Sequence, residues 1–134
     1  TIGAELMKEH ISYGPLVQKL IKKFNLVGKP DQVKAFAHIT GGGFVDNIPR
    51  VLPKSLDVVI KKGSWDMLPI FRIIEQKSGV PDEELYQVFN MGIGMVAIVS
   101  ADNAAAALKF IKAQRHKAWL IGEVVKGTGL ARVE

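Results

Sequence analysis

Three consecutive glycines, Gly41, Gly42 and Gly43, follow a short apolar run and precede Asp46, Asn47 and Arg50. Glycine reaches positive φ at no steric cost and lets another group come close to the backbone. A strand ending at Ile39, a loop through the triplet and a turn of helix behind it would aim free backbone N–H groups at one point. Such a point attracts an anion, and phosphate is the obvious biological one. The plainer alternative is a loop that only turns tightly and packs against a sheet. His38, Thr40, Asn47 and Arg50 flank the triplet. His38, at the strand end, fits either a hydrogen-bonded structural residue or an acid or base facing a ligand. Arg50 fits either a bidentate phosphate partner or a solvated helix face. In Asn90-Met91-Gly92-Ile93-Gly94 the two glycines imply close approach by a neighbouring element or by a ligand. Asn90 could cap a chain end or hydrogen-bond that ligand.

Other chemistries find less support. The chain has no cysteine, which excludes disulfides and thiolate metal sites and fits a reducing, cytoplasmic setting. No carboxylate cluster of the kind that holds magnesium is evident, and neither a strand-GxGxxG-helix fingerprint nor a P-loop occurs. No apolar run reaches the roughly 20 residues that cross a bilayer, and Thr1 to His10 lack the regions of a signal peptide, so no membrane partner is expected. The net charge of +5 and pI near 9.5 suit a phosphorylated small molecule or a nucleic acid. The lysines are scattered along the sequence, at positions such as Lys19, Lys22, Lys23, Lys61, Lys109, Lys112 and Lys117, with no aromatic-interleaved stripe. On that ground no nucleic-acid partner is expected.

The elements that must hold the glycine loop can be read from periodicity. Leu16, Val17, Leu20, Ile21 and Phe24 recur at three and four residues, which predicts an amphipathic helix over 13–24 with Pro15 in its first turn. Residues 35–39 and 56–60 read as strands. Residues 65–77, with Met67, Ile70, Phe71 and Ile74 in phase, and residues 80–89, with Leu85, Val88 and Phe89 inward, read as helices. The continuous apolar run from Met95 to Val99 predicts a central strand covered on both faces. Asp102 and Asn103 would start a helix that turns Ala104, Ala107, Leu108 and Ile111 to the sheet, leaving Lys109 and Lys112 outside. A last strand is expected over 118–125, with 126–129 a turn or tail. At 134 residues the chain is the size of a single domain, 1–134. Alternation broken by adjacent helices predicts an α+β class, an α/β sandwich with a mixed β-sheet and helices packed against it.

The strings themselves go further. His38-Ile39-Thr40-Gly41-Gly42-Gly43, Asn47-Ile48-Pro49-Arg50-Val51-Leu52-Pro53, Gly63-Ser64-Trp65, Pro69-Ile70-Phe71, Phe89-Asn90-Met91-Gly92-Ile93-Gly94-Met95 and Ile121-Gly122-Glu123-Val124 stand in this order. Together they resemble phosphoribosylformylglycinamidine cyclo-ligase, also called AIR synthetase, over roughly residues 35 to 125. All of the blocks are similar to that family's C-terminal domain, and the ATP-binding N-terminal domain is absent from this stretch. Ahead of Tyr13 the family more often carries a proline and a threonine, where this sequence has His10 and Ser12, and no ligand role is assigned to that segment.

The resemblance implies an enzyme of purine biosynthesis that uses ATP to close formylglycinamidine ribonucleotide into aminoimidazole ribonucleotide. An amide oxygen is a poor leaving group, so phosphorylating it lets a nearby nitrogen displace it while the protein positions reactants and neutralises charge. The resemblance also implies that ATP and Mg2+ are bound mainly outside this domain, that the isolated domain is inactive, and that the full-length enzyme is a homodimer. It assigns the substrate phosphate to Gly41, Gly42, Gly43, Thr40 and Arg50, with Asn47 and Asn90 as further cleft residues, His38 a catalytic candidate, and no metal ligand. Two alternatives stay open. One is another ATP-dependent enzyme of the same superfamily. The other is a stand-alone binding or regulatory module.

Overall fold

Val33–His38 (β1) and Met95–Val99 (β3) pair antiparallel, His38 opposite Met95, while Leu56–Ile60 (β2) lies between Gly122–Lys126 (β4), antiparallel, and Ala131–Val133 (β5), parallel. The computed structural model describes all residues from Thr1 to Glu134. Six α-helices accompany the strands: Ile2–Leu6 (α1), Gly14–Phe24 (α2), Gly43–Asn47 (α3), Pro69–Ser78 (α4), Asp82–Val88 (α5) and Ala104–Ala113 (α6). A 3-10 turn over Ile48–Val51 continues α3, and no helix is long and apolar enough to cross a membrane. The fold is α+β, with a mixed sheet of three strands and a separate antiparallel pair.

Several expectations shift. The run from Met95 to Val99 is a strand but not a central one: it pairs with β1 alone, and of its side chains only Val96 is fully buried. Helix α4 starts at Pro69 rather than residue 65, because Trp65 is drawn into the core and its indole Nε1–H donates to the Met91 carbonyl at 2.9 Å. On α5 the buried residues are Leu85 and Tyr86, whereas Val88 is exposed. Asn103 does not cap α6; its amide donates to Gln32 Oε1 and Ser100 Oγ. The last expected strand begins at Gly122 instead of 118, and α1 and β5 come from stretches that gave no strand or helix signal.

The core sits between α3, α5 and the strands. Phe44, Trp65 and Tyr86 form a ring cluster with centroids 5.6 to 6.4 Å apart, and Ile39, Ile48, Ile60, Leu85 and Met91 close around it. Helices α2 and α6 form a second layer, joined by edge-to-face packing of Phe24 on Phe110.

Strand β5 is held by a carboxylate. Asp57, 2% exposed, accepts the backbone N–H groups of Thr128, Gly129 and Leu130 on Oδ1 at 2.7 to 3.0 Å and the Arg132 guanidinium on Oδ2 at 2.7 Å. Gly127 has no room for a side chain, since a Cβ there would stand 2.0 Å from Asp57 Cγ. The Leu130 and Thr128 N–H groups, the largest causes, hold the carboxyl below its ordinary range, because they bond the charged form. A depressed carboxyl contributes stability in full above its unfolded value and loses it as pH falls through the folded one, so the contribution is complete above about pH 4 and fades progressively as the pH is lowered further. Asp57→Asn is therefore expected to lower the melting temperature at pH 7 by at least about 5 °C, with the gap to the parent closing below about pH 4. Equal melting at pH 7 would show that the carboxylate does not hold β5.

Candidate functional site

The glycine loop hangs from the end of β1. Ile39 is buried and donates its N–H to the Gly94 carbonyl at 2.9 Å, which fixes where the chain leaves the sheet. Thr40 and Gly41 are exposed; Gly42, at φ +95, and Gly43, at φ +54, then bend the backbone into α3. Asn47 closes the loop from inside. Its side chain, 4% exposed, donates through Nδ2 to the Gly43 carbonyl at 2.8 Å and to the Thr40 and Gly41 carbonyls at 3.3 Å, and its Oδ1 accepts the Thr40 hydroxyl at 3.3 Å. Asn47 is thus a staple of the loop and not a side chain lining a cleft. Its polar atoms are taken by the turn it holds.

The three glycines divide their work. A Cβ on Gly43 would stand 2.0 Å from the Tyr86 carbonyl oxygen, and its N–H donates to the Thr40 carbonyl at 3.1 Å. Gly43 therefore serves the contact of α3 with α5, and its N–H is taken by the Thr40 carbonyl. A Cβ on Gly42 would meet Asp46 at 2.7 Å, while one on Gly41 would meet nothing within 4 Å. The open part of the loop is Thr40–Gly41. On its other flank lies a groove of about 690 Å³ between the loop and α5, lined by Gly41, Gly42, Asp46, Glu83, Glu84 and Val88. Three carboxylates on that wall repel an anion. Helix α3 has only five residues with Asp46 in its first turn, so its dipole adds little positive potential.

On the side of β1 the setting differs. His38 is exposed, and its ring stands edge-on to His10 at 5.6 Å and to Tyr13 at 6.2 Å between centroids; His10 and Tyr13 are 6.1 Å apart. Gly94 allows this: a Cβ there would come within 2.3 Å of the Tyr13 hydroxyl. The close approach its sequence implied is that of a neighbouring element. Half-burial pushes the Tyr13 phenol above its usual range, so the ring stays neutral at physiological pH. Sequence reasoning gave His10 and Tyr13 no role, although Tyr13 is in helical phase with the buried Leu16 and Leu20 and so had to face the sheet.

Two further candidates are Arg50 and Asn90. Arg50 is exposed on the 3-10 turn and makes no ion pair. Asn90 accepts the Gly92 N–H on Oδ1 at 2.9 Å, a local turn that steadies buried Met91 at φ +49. No group of three or more His, Asp or Glu side chains is placed to hold a metal ion.

Comparison with known proteins gives these features a setting. Residues 4–133 match the family described as "AIR synthase related protein, C-terminal domain". The chain is 43% identical over 130 residues to the phosphoribosylformylglycinamidine cyclo-ligase of Geobacillus thermodenitrificans, covering 97% of this chain and 36% of the relative. It is 42% identical over 130 residues to the protein of that name from Bacillus cytotoxicus, covering 97% and 35%, and 43% identical over 129 residues to that from Caldicellulosiruptor saccharolyticus, covering 96% and 36%. The chain thus spans about a third of the length of the relatives it matches.

Proposed function

The chain belongs to the AIR synthase related C-terminal domain family, and on that premise we propose that it is the substrate-side domain of a phosphoribosylformylglycinamidine cyclo-ligase. The reaction is ATP-dependent ring closure of formylglycinamidine ribonucleotide to aminoimidazole ribonucleotide. The observation that carries this reading is convergence. Trp65 and Met91 come from two separated blocks of family-like sequence, and they meet Phe44, which follows the glycine triplet directly, in the core that carries the loop, so those blocks support one loop.

In this reading the anionic end of the ribonucleotide meets the loop at Thr40, Gly41 and Gly42, from the side of His38 and away from Asp46. Arg50 is exposed and unpaired, free to add a bidentate contact. His38 stands beside that approach as the candidate to hold or move a proton, with Asn90 steadying the adjoining turn. ATP would supply the phosphoryl group that turns the amide oxygen into a leaving group, with Mg2+ as its counterion. The residues of this chain do not fit that pair: no carboxylate set converges to hold a metal, and the glycine triplet is not a P-loop. Both belong to the part of the enzyme outside this domain.

Surface area supports a covering domain. The accessible surface is 8837 Å², against roughly 6,900 Å² for a compact monomer of this mass, and α1 buries none of its residues. Such an excess fits a covering partner in the assembled enzyme, which this reading takes to be an N-terminal domain; it takes the whole enzyme to be a cytoplasmic homodimer. A chimera tests the reading. With this chain in place of the matched stretch of the G. thermodenitrificans relative, the protein is expected to form aminoimidazole ribonucleotide from substrate and ATP, while the 134-residue chain alone releases no ADP. A folded chimera that closes no ring, or sustained substrate-dependent ADP release by the chain alone, would overturn it.

A further inference from the structure

The basic residues that look scattered in sequence are gathered by the fold. Residues 14–30 and 103–122 hold eight of the 18 Lys and Arg side chains, namely Lys19, Lys22, Lys23, Lys29, Lys109, Lys112, Arg115 and Lys117, and none of the 13 acidic ones. These two stretches form one layer, in which Phe24 packs on Phe110 and the Lys19 ammonium donates to Gln114 Oε1 at 2.8 Å. Leu16, Leu20 and Ala107 turn inward, so the cations stand on the solvent side, and all eight are exposed. None of the eight takes part in an ion pair, whereas Lys8, Lys61, Lys62 and Arg132 all do. Of the acids that flank the layer in sequence, Asp31 and Asp102 lie beyond the ends of its helices, and Glu123, on β4, is paired with Lys61 at 3.1 Å.

We propose that the solvent side of the α2–α6 layer binds the phosphodiester backbone of a nucleic acid. A one-signed face without compensating carboxylates is the electrostatic footprint that such binding needs, and it rewards release of the polyanion's counterions. A protein partner would need apolar anchors at the centre of the contact. Ile21 is the one large apolar side chain exposed on either helix, Ala105, Ala106 and Ala113 are among the other exposed helical positions, and the remaining exposed apolar residues of the layer, Leu26, Val27 and Leu120, lie beyond the helix ends and not at its centre. Neither helix offers an exposed aromatic ring for stacking on bases, so the contact reads phosphates and not sequence.

Fluorescence anisotropy of the 134-residue chain with a labelled 20-nucleotide oligouridylate, and with a duplex of equal length, tests this between 50 and 200 mM salt. Engagement of four to seven of these cations gives a log–log slope of about −3 to −5 on the single strand. The double variant K22E/K109E is expected to bind at least about tenfold more weakly than the parent, with unchanged melting because both side chains are exposed. K61E/K126E carries the same change in net charge on β4 and beside it, and is expected to lose less than about threefold. Absence of binding at 50 mM salt, an equal loss in the two variants, or equally tight binding of poly-glutamate would overturn the proposal.

Discussion

Gly41→Val raises the substrate KM of the assembled enzyme by at least about tenfold, near 1.4 kcal/mol of lost binding, and leaves the melting temperature of the domain unchanged. The two halves of this expectation rest on different facts. Nothing lies within 4 Å of a Cβ on Gly41, and its φ is not positive, so valine fits the folded chain without strain. Yet Gly41 is the exposed end of the loop beside Thr40 and His38, where a substrate phosphate would come against bare backbone. An isopropyl group there fills the approach. Gly42 is the less informative site, because at φ +95 and 2.7 Å from Asp46 any side chain strains the fold as well as the approach. Steady-state kinetics of the Gly41 variant alongside its thermal melt separates binding from packing. An unchanged KM with an unchanged melt would mean that the phosphate does not meet this loop.

How much of this was open to sequence reading varies with the range of the interaction. The β1 strand, the loop and the amphipathic α2 are written in local spacing, and each was legible. Strand β3 was legible as a strand but misplaced in its sheet, since an apolar run from Met95 to Val99 reports a demand for cover and not what supplies it. In this chain β1 is its only strand partner. Strand β5 gave no signal of its own: three residues behind Gly127-Thr128-Gly129 look like a tail until Asp57, some 70 residues away, is seen to bind that backbone. The site was half legible. Asn47 stood out as a polar residue near the loop, but one dimension does not tell an amide aimed at a ligand from an amide that closes its own turn. The lysines of α2 and α6 were visible singly, and only the packing of Phe24 on Phe110 makes them one face.

The glycine triplet is the sharpest case, and Gly43→Ala exposes it. This smallest of substitutions is expected to destabilise the chain by about 3 to 5 kcal/mol, a fall in melting temperature on the order of 10 to 20 °C. Two costs combine. Alanine must hold φ +54, a conformation that L side chains rarely adopt, and its Cβ must find room where the Tyr86 carbonyl oxygen stands 2.0 Å away and the Phe89 carbonyl oxygen 2.9 Å away. Those atoms belong to the backbone at the end of α5, so no side-chain rotation relieves the clash; α3 and α5 have to part. Parting them opens the stack of Phe44 on Tyr86 and the contact of both with Trp65, at the centre of the core. Gly42→Ala also has to hold a positive φ and meets Asp46 Cβ at 2.7 Å, but Asp46 Cγ and Oδ2 can swing away and no carbonyl stands at 2.0 Å, so its cost should be smaller than that of Gly43→Ala. The order Gly43, then Gly42, then Gly41 in stability loss, with the reverse order for loss of substrate binding per degree of melting lost, distinguishes a loop that packs at one end and binds at the other from one that only packs. Melting of Gly43→Ala within about 3 °C of the parent would show that the α3–α5 contact is not the reason for that glycine.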